Sequence, residues 1–301
     1  MKNRFKLILL LFVFSATTAT YAQIVKIDSL TNWKKKLNFG VNINQAAFSS
    51  NWKAGGVNSI GLNSLFNYQA HYEKDKITWN NEFDFLFGFV SSEGQGYRKS
   101  QDRIYLDTKL GYAFNKNWGL FSSVSFQSQF TRGYRFNDDD SRDLISDIFA
   151  PAFITSSWGV EYHPVDYFKV RISPFSPRVT IVTDPGRFIT TVGPEPYGVA
   201  FPDNTRYEWL AFQIQAEFNK DIAQNLNLKW RYLLFANYET FEVKRIDHRL
   251  DLNITAKVNN FINVSIGGIL LYDFDQDSDA QVSQLLTLGF AYSFRNFEEK
   301  K

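Results

Sequence analysis

Residues 77–89 read ITWNNEFDFLFGF. Hydrophobic side chains occupy nearly every second position of this stretch, and polar or acidic side chains occupy most of the positions between them. A period of two residues is typical of a β-strand with one apolar and one polar face, whereas an amphipathic helix repeats every 3.6 residues. The stretch therefore predicts a β-strand whose two faces meet different surroundings.

The same alternation recurs in twelve segments, which are often 13 to 17 residues long. Strands of soluble proteins are usually about 5–6 residues long. The segments are 36–48, 58–73, 76–90, 101–115, 118–133, 152–163, 166–182, 206–220, 224–240, 243–258, 261–275 and 282–295. Tight turns alternate with longer connections at 49–57, 91–100, 134–151, 183–205 and 276–281, although one connection in that series, 241–242, is short.

Short turns at one end and long loops at the other are typical of bacterial outer-membrane barrels, whose short turns face the periplasm. We therefore predict an all-β fold, a transmembrane antiparallel up-and-down β-barrel of about 12 strands. Aromatic residues make up 17% of the chain, and many lie near segment ends, as in the aromatic belts of membrane barrels. A secreted β-sandwich is the alternative, and it would have to pack all the apolar faces against one another.

The N-terminus has the features of a secretory signal peptide. Three basic residues precede an apolar run at 7–14, and Thr20 and Ala22 place small side chains before a cleavage site. An uncleaved anchor is the alternative. We expect a signal peptide at 1–22, a periplasmic leader at 23–35, the barrel at 36–295 and a periplasmic tail at 296–301. The mature chain keeps 30 basic against 31 acidic residues, so nothing indicates a nucleic-acid partner.

Few residues in the chain suggest catalysis or metal binding. The chain has no cysteine, which excludes disulfides and thiolate ligands, and its histidines His71, His163 and His248 show no metal-ligand spacing. No phosphate-binding or nucleophile-elbow motif occurs. The sequence therefore predicts no enzyme, no metal and no cofactor, and a lipid hydrolase built on His248 is left as a minor alternative.

Charged residues on the polar faces of the predicted strands are expected to line the lumen. They are the acids Glu82, Asp84, Asp107, Glu161, Glu217, Asp247, Asp251 and Asp273 and the bases Lys109, Lys169, Arg171, Lys229, Arg231, Arg249 and Lys257. Eight acids against seven bases favour mutual pairing over an ion filter of one sign. We predict one lumen charge network, formed by Glu82, Asp84, Asp107, Lys109, Glu217, Lys229, Arg231, Arg249 and Asp251.

Two features of the long loops are candidates for contacts outside the cell. Trp52, Gly55 and Gly56 lie in a turn that a partner protein could contact, and Asp138, Asp139 and Asp140 form an acidic cluster without EF-hand spacing. Loop 183–205 is rich in proline and glycine and is longer than a tight hairpin needs. It is expected either to enter the lumen as a plug or to cover its outer mouth.

Three short runs resemble a known family. They are WKAGGVNS at 52–59, YRKS at 97–100 followed by Asp102 and Arg103, and ISP at 172–174. The chain resembles, over most of its mature length, an uncharacterised outer-membrane family of the Bacteroidota known only as a domain of unknown function. The resemblance implies a Gram-negative outer-membrane location and supplies no activity or catalytic residue.

The sequence thus leaves three classes of function. The first is a narrow channel or small-solute transport protein, and the second is a non-conducting barrel that serves as a structural or assembly subunit and binds partner proteins. The third is the lipid hydrolase. Outer-membrane lipid is the expected surrounding in each case, and the channel ranks first.

The signal-peptide interpretation makes a direct prediction. Protein isolated from outer membranes should begin at Gln23, because Ala22 provides the small residue that signal peptidase requires before its cut. N-terminal sequencing of the isolated protein checks this. An intact Met1 in the membrane-inserted protein would contradict it.

Overall fold

The computed structural model describes residues 31–47, 58–94, 96–137, 141–259 and 261–297. The described residues form sixteen strands and three single-turn 3-10 helices. The strands are β1 (Trp33–Ala46), β2 (Ser59–Lys74), β3 (Ile77–Ser92), β4 (Gly96–Ala113), β5 (Trp118–Ser128), β6 (Gly133–Phe136), β7 (Arg142–Ser146), β8 (Ala152–Val165), β9 (Phe168–Phe175), β10 (Arg178–Ile181), β11 (Thr205–Glu208), β12 (Ala211–Ala223), β13 (Leu226–Asn237), β14 (Asp247–Lys257), β15 (Ile262–Asp273) and β16 (Asp277–Arg295). None of the helices in the described part of the chain is long and apolar enough to span a membrane.

Twelve strands form a closed antiparallel barrel, which confirms the predicted fold. Their order around the wall is β1, β2, β3, β4, β5, β8, β9, β12, β13, β14, β15 and β16. The barrel closes where β1 pairs with β16, from Lys36 opposite Arg295 to Asn42 opposite Gly289. Closure gives the terminal strands partners for their backbone groups, so neither has to end as an open sheet edge.

Two of the predicted segments, 166–182 and 206–220, are each broken into two strands. β9 and β10 are separated at Pro177, which has no N–H to donate to a neighbouring strand. β11 and β12 are separated at the facing position, around Trp209 and Leu210. β10 still pairs with β8 and with β11, so the wall continues past the break.

The two ends of the barrel differ. The end with tight turns, called the turn end, carries the connections 75–76, 114–117, 166–167, 224–225 and 258–261, together with the start of β1 and the end of β16. The other end, called the loop end, carries 47–58, 129–151, 176–210 and 238–246. The first strand begins at Trp33, three residues before the predicted start of the barrel.

Three expectations about connection lengths are wrong. The expected long loops at 91–100 and 276–281 are the short turns 93–95 and 274–276, because β3, β4 and β16 run further than expected. Both faces of these strand ends carry polar side chains, so the period of two disappears from the sequence there. The connection expected to be short, 241–242, spans 238–246.

Loop 183–205 packs against the hairpin β6–β7 and forms a small folded unit at the loop end, here called the outer cap (residues 141–151 and 182–206). Its core consists of the fully buried side chains of Ala150, Val182, Phe188 and Val199. The Tyr197 hydroxyl donates to the carbonyl of Ile145, and burial raises the pKa of this hydroxyl to about 12. Loop 183–205 thus packs on its own small core at the loop end.

The barrel is apolar outside and polar inside. Leu120 on the outer face is 53% exposed, whereas Lys109 and Ser157 on the inner face are each 3% exposed. This arrangement is the reverse of a soluble domain, whose large apolar side chains are buried against one another. The alternative of a β-sandwich is therefore wrong, because the apolar faces of these strands point away from the barrel.

Candidate functional site

The centre of the lumen is crossed by a group of ion pairs, here called the central layer (Glu82, Asp84, Arg103, Arg231 and Asp251). Arg231 Nη2 donates to Glu82 Oε2 over 2.6 Å. Arg103 donates to Asp84 with one nitrogen and to Asp251 Oδ1, over 3.2 Å, with the other. Each of these guanidinium groups thus contacts a carboxylate of the layer.

These ion pairs join opposite walls. Glu82 lies on β3 and Arg231 on β13, which are six strands apart in either direction around the twelve-stranded wall. The same separation holds for Arg103 on β4 and Asp251 on β14. The central layer is therefore a bridge across the lumen, and it divides the lumen into a half bounded by β4–β13 and a half bounded by β14–β16 and β1–β3.

The half bounded by β4–β13 holds a second group of charges. Arg171 donates to Asp107 over 3.2 Å and to Glu217 over 2.8 Å, and its guanidinium lies 5.9 Å from the centre of the Phe121 ring. Lys109 donates to Glu161. Buried charge is stable only when it is paired or hydrated, and these contacts pair it inside the protein.

A third group of charges lies nearer the loop end. Arg178 donates to Glu208 over 2.6 Å and to Asp247 over 2.8 Å, and its guanidinium stacks 3.7 Å from the centre of the Phe235 ring. Arg206, at the edge of the outer cap, donates to Asp275 in the turn between β15 and β16. This ion pair joins the outer cap to the strand pair β15–β16 across the loop-end opening of the barrel.

Two cavities flank these charges. The larger, about 260 Å³, lies at the turn end and is bordered by Lys109, Arg171, Glu217, Lys229 and Arg231 among others. The smaller, about 10 Å³, lies at the loop end beside Arg178 and Arg206 and holds no more than about one water molecule. Of these two cavities, the one at the turn end is the larger.

All nine residues of the predicted charge network lie on the inner face, and each has an oppositely charged partner. Their partners are Arg231 for Glu82, Arg103 for Asp84, Arg171 for Asp107, Glu161 for Lys109, Lys169 and Arg171 for Glu217, Glu82 for Lys229 and Arg231, Asp251 for Arg249, and Arg103 and Arg249 for Asp251. Some of these pairs join neighbouring strands, such as Asp84 and Arg103, and others do not. Arg231 faces Asp251 in the strand register, yet its closest ion pair is with Glu82 on the opposite wall.

The sequence reasoning missed Arg103, Arg178, Arg206 and Glu208. Arg103 lies an even number of residues from Asp107 and Lys109 on β4, so its side chain points to the same face. Continuing the alternation four residues from Asp107 toward the loop end would have identified it. The others lie on β10 and β11, beyond the break in the strands, where the alternation no longer marks the inner face.

Other candidate residues lie elsewhere. Trp52, Gly55, Gly56 and the cluster Asp138–Asp139–Asp140 lie outside the described residues. His248 lies on the outer face, where its Nδ1 is 2.7 Å from the Tyr232 hydroxyl. Within the described residues no histidine is hydrogen-bonded to a serine, and no group of His, Asp or Glu has the arrangement of a metal site.

Comparisons with known proteins find one family model and several distant structural likenesses. A family described as "Protein of unknown function (DUF3078)" matches residues 43–134, less than half of the chain, and no curated protein matches. The chain is similar to the COG4313 outer membrane channel from Pseudomonas putida F1, with 11% identity, a TM-score of 0.41 and coverage of 90% of this chain and 98% of that one.

Two further solved structures are similar at the same level. The translocator domain of the autotransporter NalP from Neisseria meningitidis has 10% identity and a TM-score of 0.40, over 89% of this chain and 91% of that one. The KdgM porin has 8% identity and a TM-score of 0.30, over 86% and 99%. At such scores these likenesses extend no further than the general architecture of a barrel.

The central layer makes a prediction about stability. Arg231→Leu should lower the free energy of unfolding by about 3–5 kcal/mol, because it leaves the Glu82 carboxylate buried without its guanidinium partner. Lys229→Leu is the matched control, since Lys229 lies on the same face of β13, 4.0 Å from Glu82, and is 42% exposed. Its loss should cost less than about 1 kcal/mol.

Urea unfolding of the barrel refolded into lipid vesicles measures both variants, and the shift in gel mobility on heating confirms that each has folded. Equal effects of the two substitutions would contradict the assignment of Arg231 to a buried ion pair.

Proposed function

We propose that this chain is an outer-membrane β-barrel that acts as a narrow channel for small solutes. The observation that carries the proposal is the combination of a closed wall, an apolar outer face and a polar inner face with a cavity at the turn end. The apolar outer face suits the hydrocarbon core of a membrane. A hydrocarbon surrounding also requires that the backbone N–H and C=O groups of the wall be paired within the barrel, as they are in a closed sheet. A polar inner face is typical of barrels that admit water.

The outer membrane is the proposed location. The features of a signal peptide at 1–22 support export from the cytoplasm, and the described ends of the chain lie together at the turn end, which corresponds to the periplasmic side. Outer-membrane lipid is then the partner of the outer face, and nucleic acid is not a partner. A Bacteroidota origin and a role for the run WKAGGVNS remain predictions, as do the leader and the tail.

Two features support a narrow channel over a wide pore. The central layer places paired charges across the lumen, and the outer cap covers part of the loop end with only a 10 Å³ cavity beside Arg178 and Arg206. A solute that passes must therefore fit beside the ion pairs. We propose no enzymatic activity and no cofactor.

A non-conducting barrel that binds partner proteins is the second candidate. Ion pairs that join opposite walls favour it, because they brace the barrel as a support would need. Its partners would bind through the loop-end connections, including the candidate residues Trp52, Gly55 and Gly56.

Conductance separates the two candidates. Purified barrel in a planar bilayer should give discrete steps of low conductance, with a reversal potential near zero in a salt gradient, because the lumen charges are paired with one another. A bilayer with inserted protein but no steps, together with no uptake of uncharged solutes into vesicles, would contradict the channel and favour the scaffold.

Labelling tests the proposed orientation, and the absence of native cysteine keeps the background low. Glu195→Cys, in the exposed part of loop 183–205, should react with a membrane-impermeant maleimide in whole cells. Lys76→Cys, in a tight turn at the other end, should react only after the outer membrane is permeabilised. The reverse pattern would contradict the orientation.

A further inference from the structure

The two halves of the lumen are packed differently. In the half bounded by β4–β13, inward side chains such as Ser123, Ser157 and Gln215 are buried. Most inward residues of β15, β16 and β1 are partly exposed, although Gly40 and Asp273 are buried. Leu65 on β2 shows the difference most clearly, because it points inward between the buried Asn63 and Asn67 and is still 36% exposed.

The exposed side of the lumen has a distinct composition, and it is called the neutral arc here. Its inward residues include Asn42, Asn253, Thr255, Ser265, Gly267, Ile269, Thr287 and Gly289, together with Leu271 and Leu285. Their shared face follows from contacts across the strands, such as that of the Thr255 and Ser265 hydroxyls at 3.1 Å. These residues are uncharged, and two inward charged residues of β14 and β15, Lys257 and Asp273, lie nearer the two ends of the barrel.

These side chains are too small to fill the space beside the central layer. An eight-stranded barrel is just wide enough for side chains to fill, and a twelve-stranded one is wider. A Cβ atom added to Gly267 would meet only the carbonyl oxygen of Leu285, at 3.9 Å. The neutral arc therefore borders open space at Gly267, and the charges of the central layer border the other side of that space.

The chemistry of the arc selects among solutes. Its amides and hydroxyls can replace the water that hydrates a hydroxyl or amide group, at small net cost. An ion that left water beside the central layer would find the charges there already engaged with one another, because Asp251 pairs with Arg103 and Arg249 and Glu82 pairs with Arg231. Ile269 adds an apolar contact for the carbon frame of a solute.

We propose that the solute path of this barrel runs along the neutral arc and accepts small uncharged solutes that carry hydroxyl or amide groups. This inference rests on the proposed channel function and names the class of its solute. The central layer forms one fixed side of the path. Its charged side chains stay paired with one another and do not form ion pairs with a passing solute.

Uptake into proteoliposomes tests the path. Radiolabelled mannitol and gluconate are similar in size and differ in charge, and the wild-type barrel should admit mannitol at least about fivefold faster. Gly267→Trp should reduce mannitol uptake at least about fivefold, because the indole would occupy the open space inside. Gly268→Trp is the matched control: it adds the same side chain to the outer face and should leave uptake unchanged.

A second pair covers a failure of Gly267→Trp to fold, which the shift in gel mobility on heating would reveal. Thr287→Trp points inward and should block mannitol, whereas Leu288→Trp points outward and should not. Faster uptake of gluconate than of mannitol, or equal uptake by the inward and outward variants, would overturn the path while leaving a channel. A wild-type barrel that passes neither solute and carries no current would overturn the channel function itself.

Discussion

Charge buried within this barrel must be paired, and the decisive partners stand on opposite walls. Glu82 and Arg231, and likewise Arg103 and Asp251, meet across the lumen from strands six positions apart. Removing one member of a buried pair typically costs about 3–5 kcal/mol, so these contacts fix how far apart the walls can stand. The cross-section of the lumen and its division into two halves both follow from them.

The strands place apolar side chains on the outside of the fold and polar side chains inside, which is the reverse of a soluble domain. Outward positions carry apolar and aromatic side chains, and inward positions carry amides, hydroxyls and charges. Trp33, Tyr72 and Trp79 cluster at the turn end with ring centres 5.2 and 5.6 Å apart, where an interface between lipid and water suits amphipathic rings. The same strands thus serve a lipid-facing wall and a polar lumen because successive side chains point to opposite faces.

The wall could be predicted from the sequence because every strand that separates lipid from the lumen must alternate. Prediction failed in the segments that do not separate lipid from the lumen. The loop-end parts of β3, β4 and β16 are polar on both faces, and the core of the outer cap around Phe188 has no period to detect. The inward phase of Arg231 was predictable, whereas its partner Glu82 was not, because the pair depends on how the barrel closes rather than on which strands are neighbours in the chain.

The coupling between Glu82 and Arg231 tests the central claim most directly. A double-mutant cycle with Glu82→Gln and Arg231→Gln, measured by urea unfolding in lipid vesicles, isolates the interaction of these two side chains. Residues in contact show coupling energies of about 0.5–3 kcal/mol, and a buried ion pair across the lumen should fall in the upper part of that range. Effects that add to within about 0.3–0.5 kcal/mol, as for distant independent sites, would contradict an ion pair that bridges the lumen.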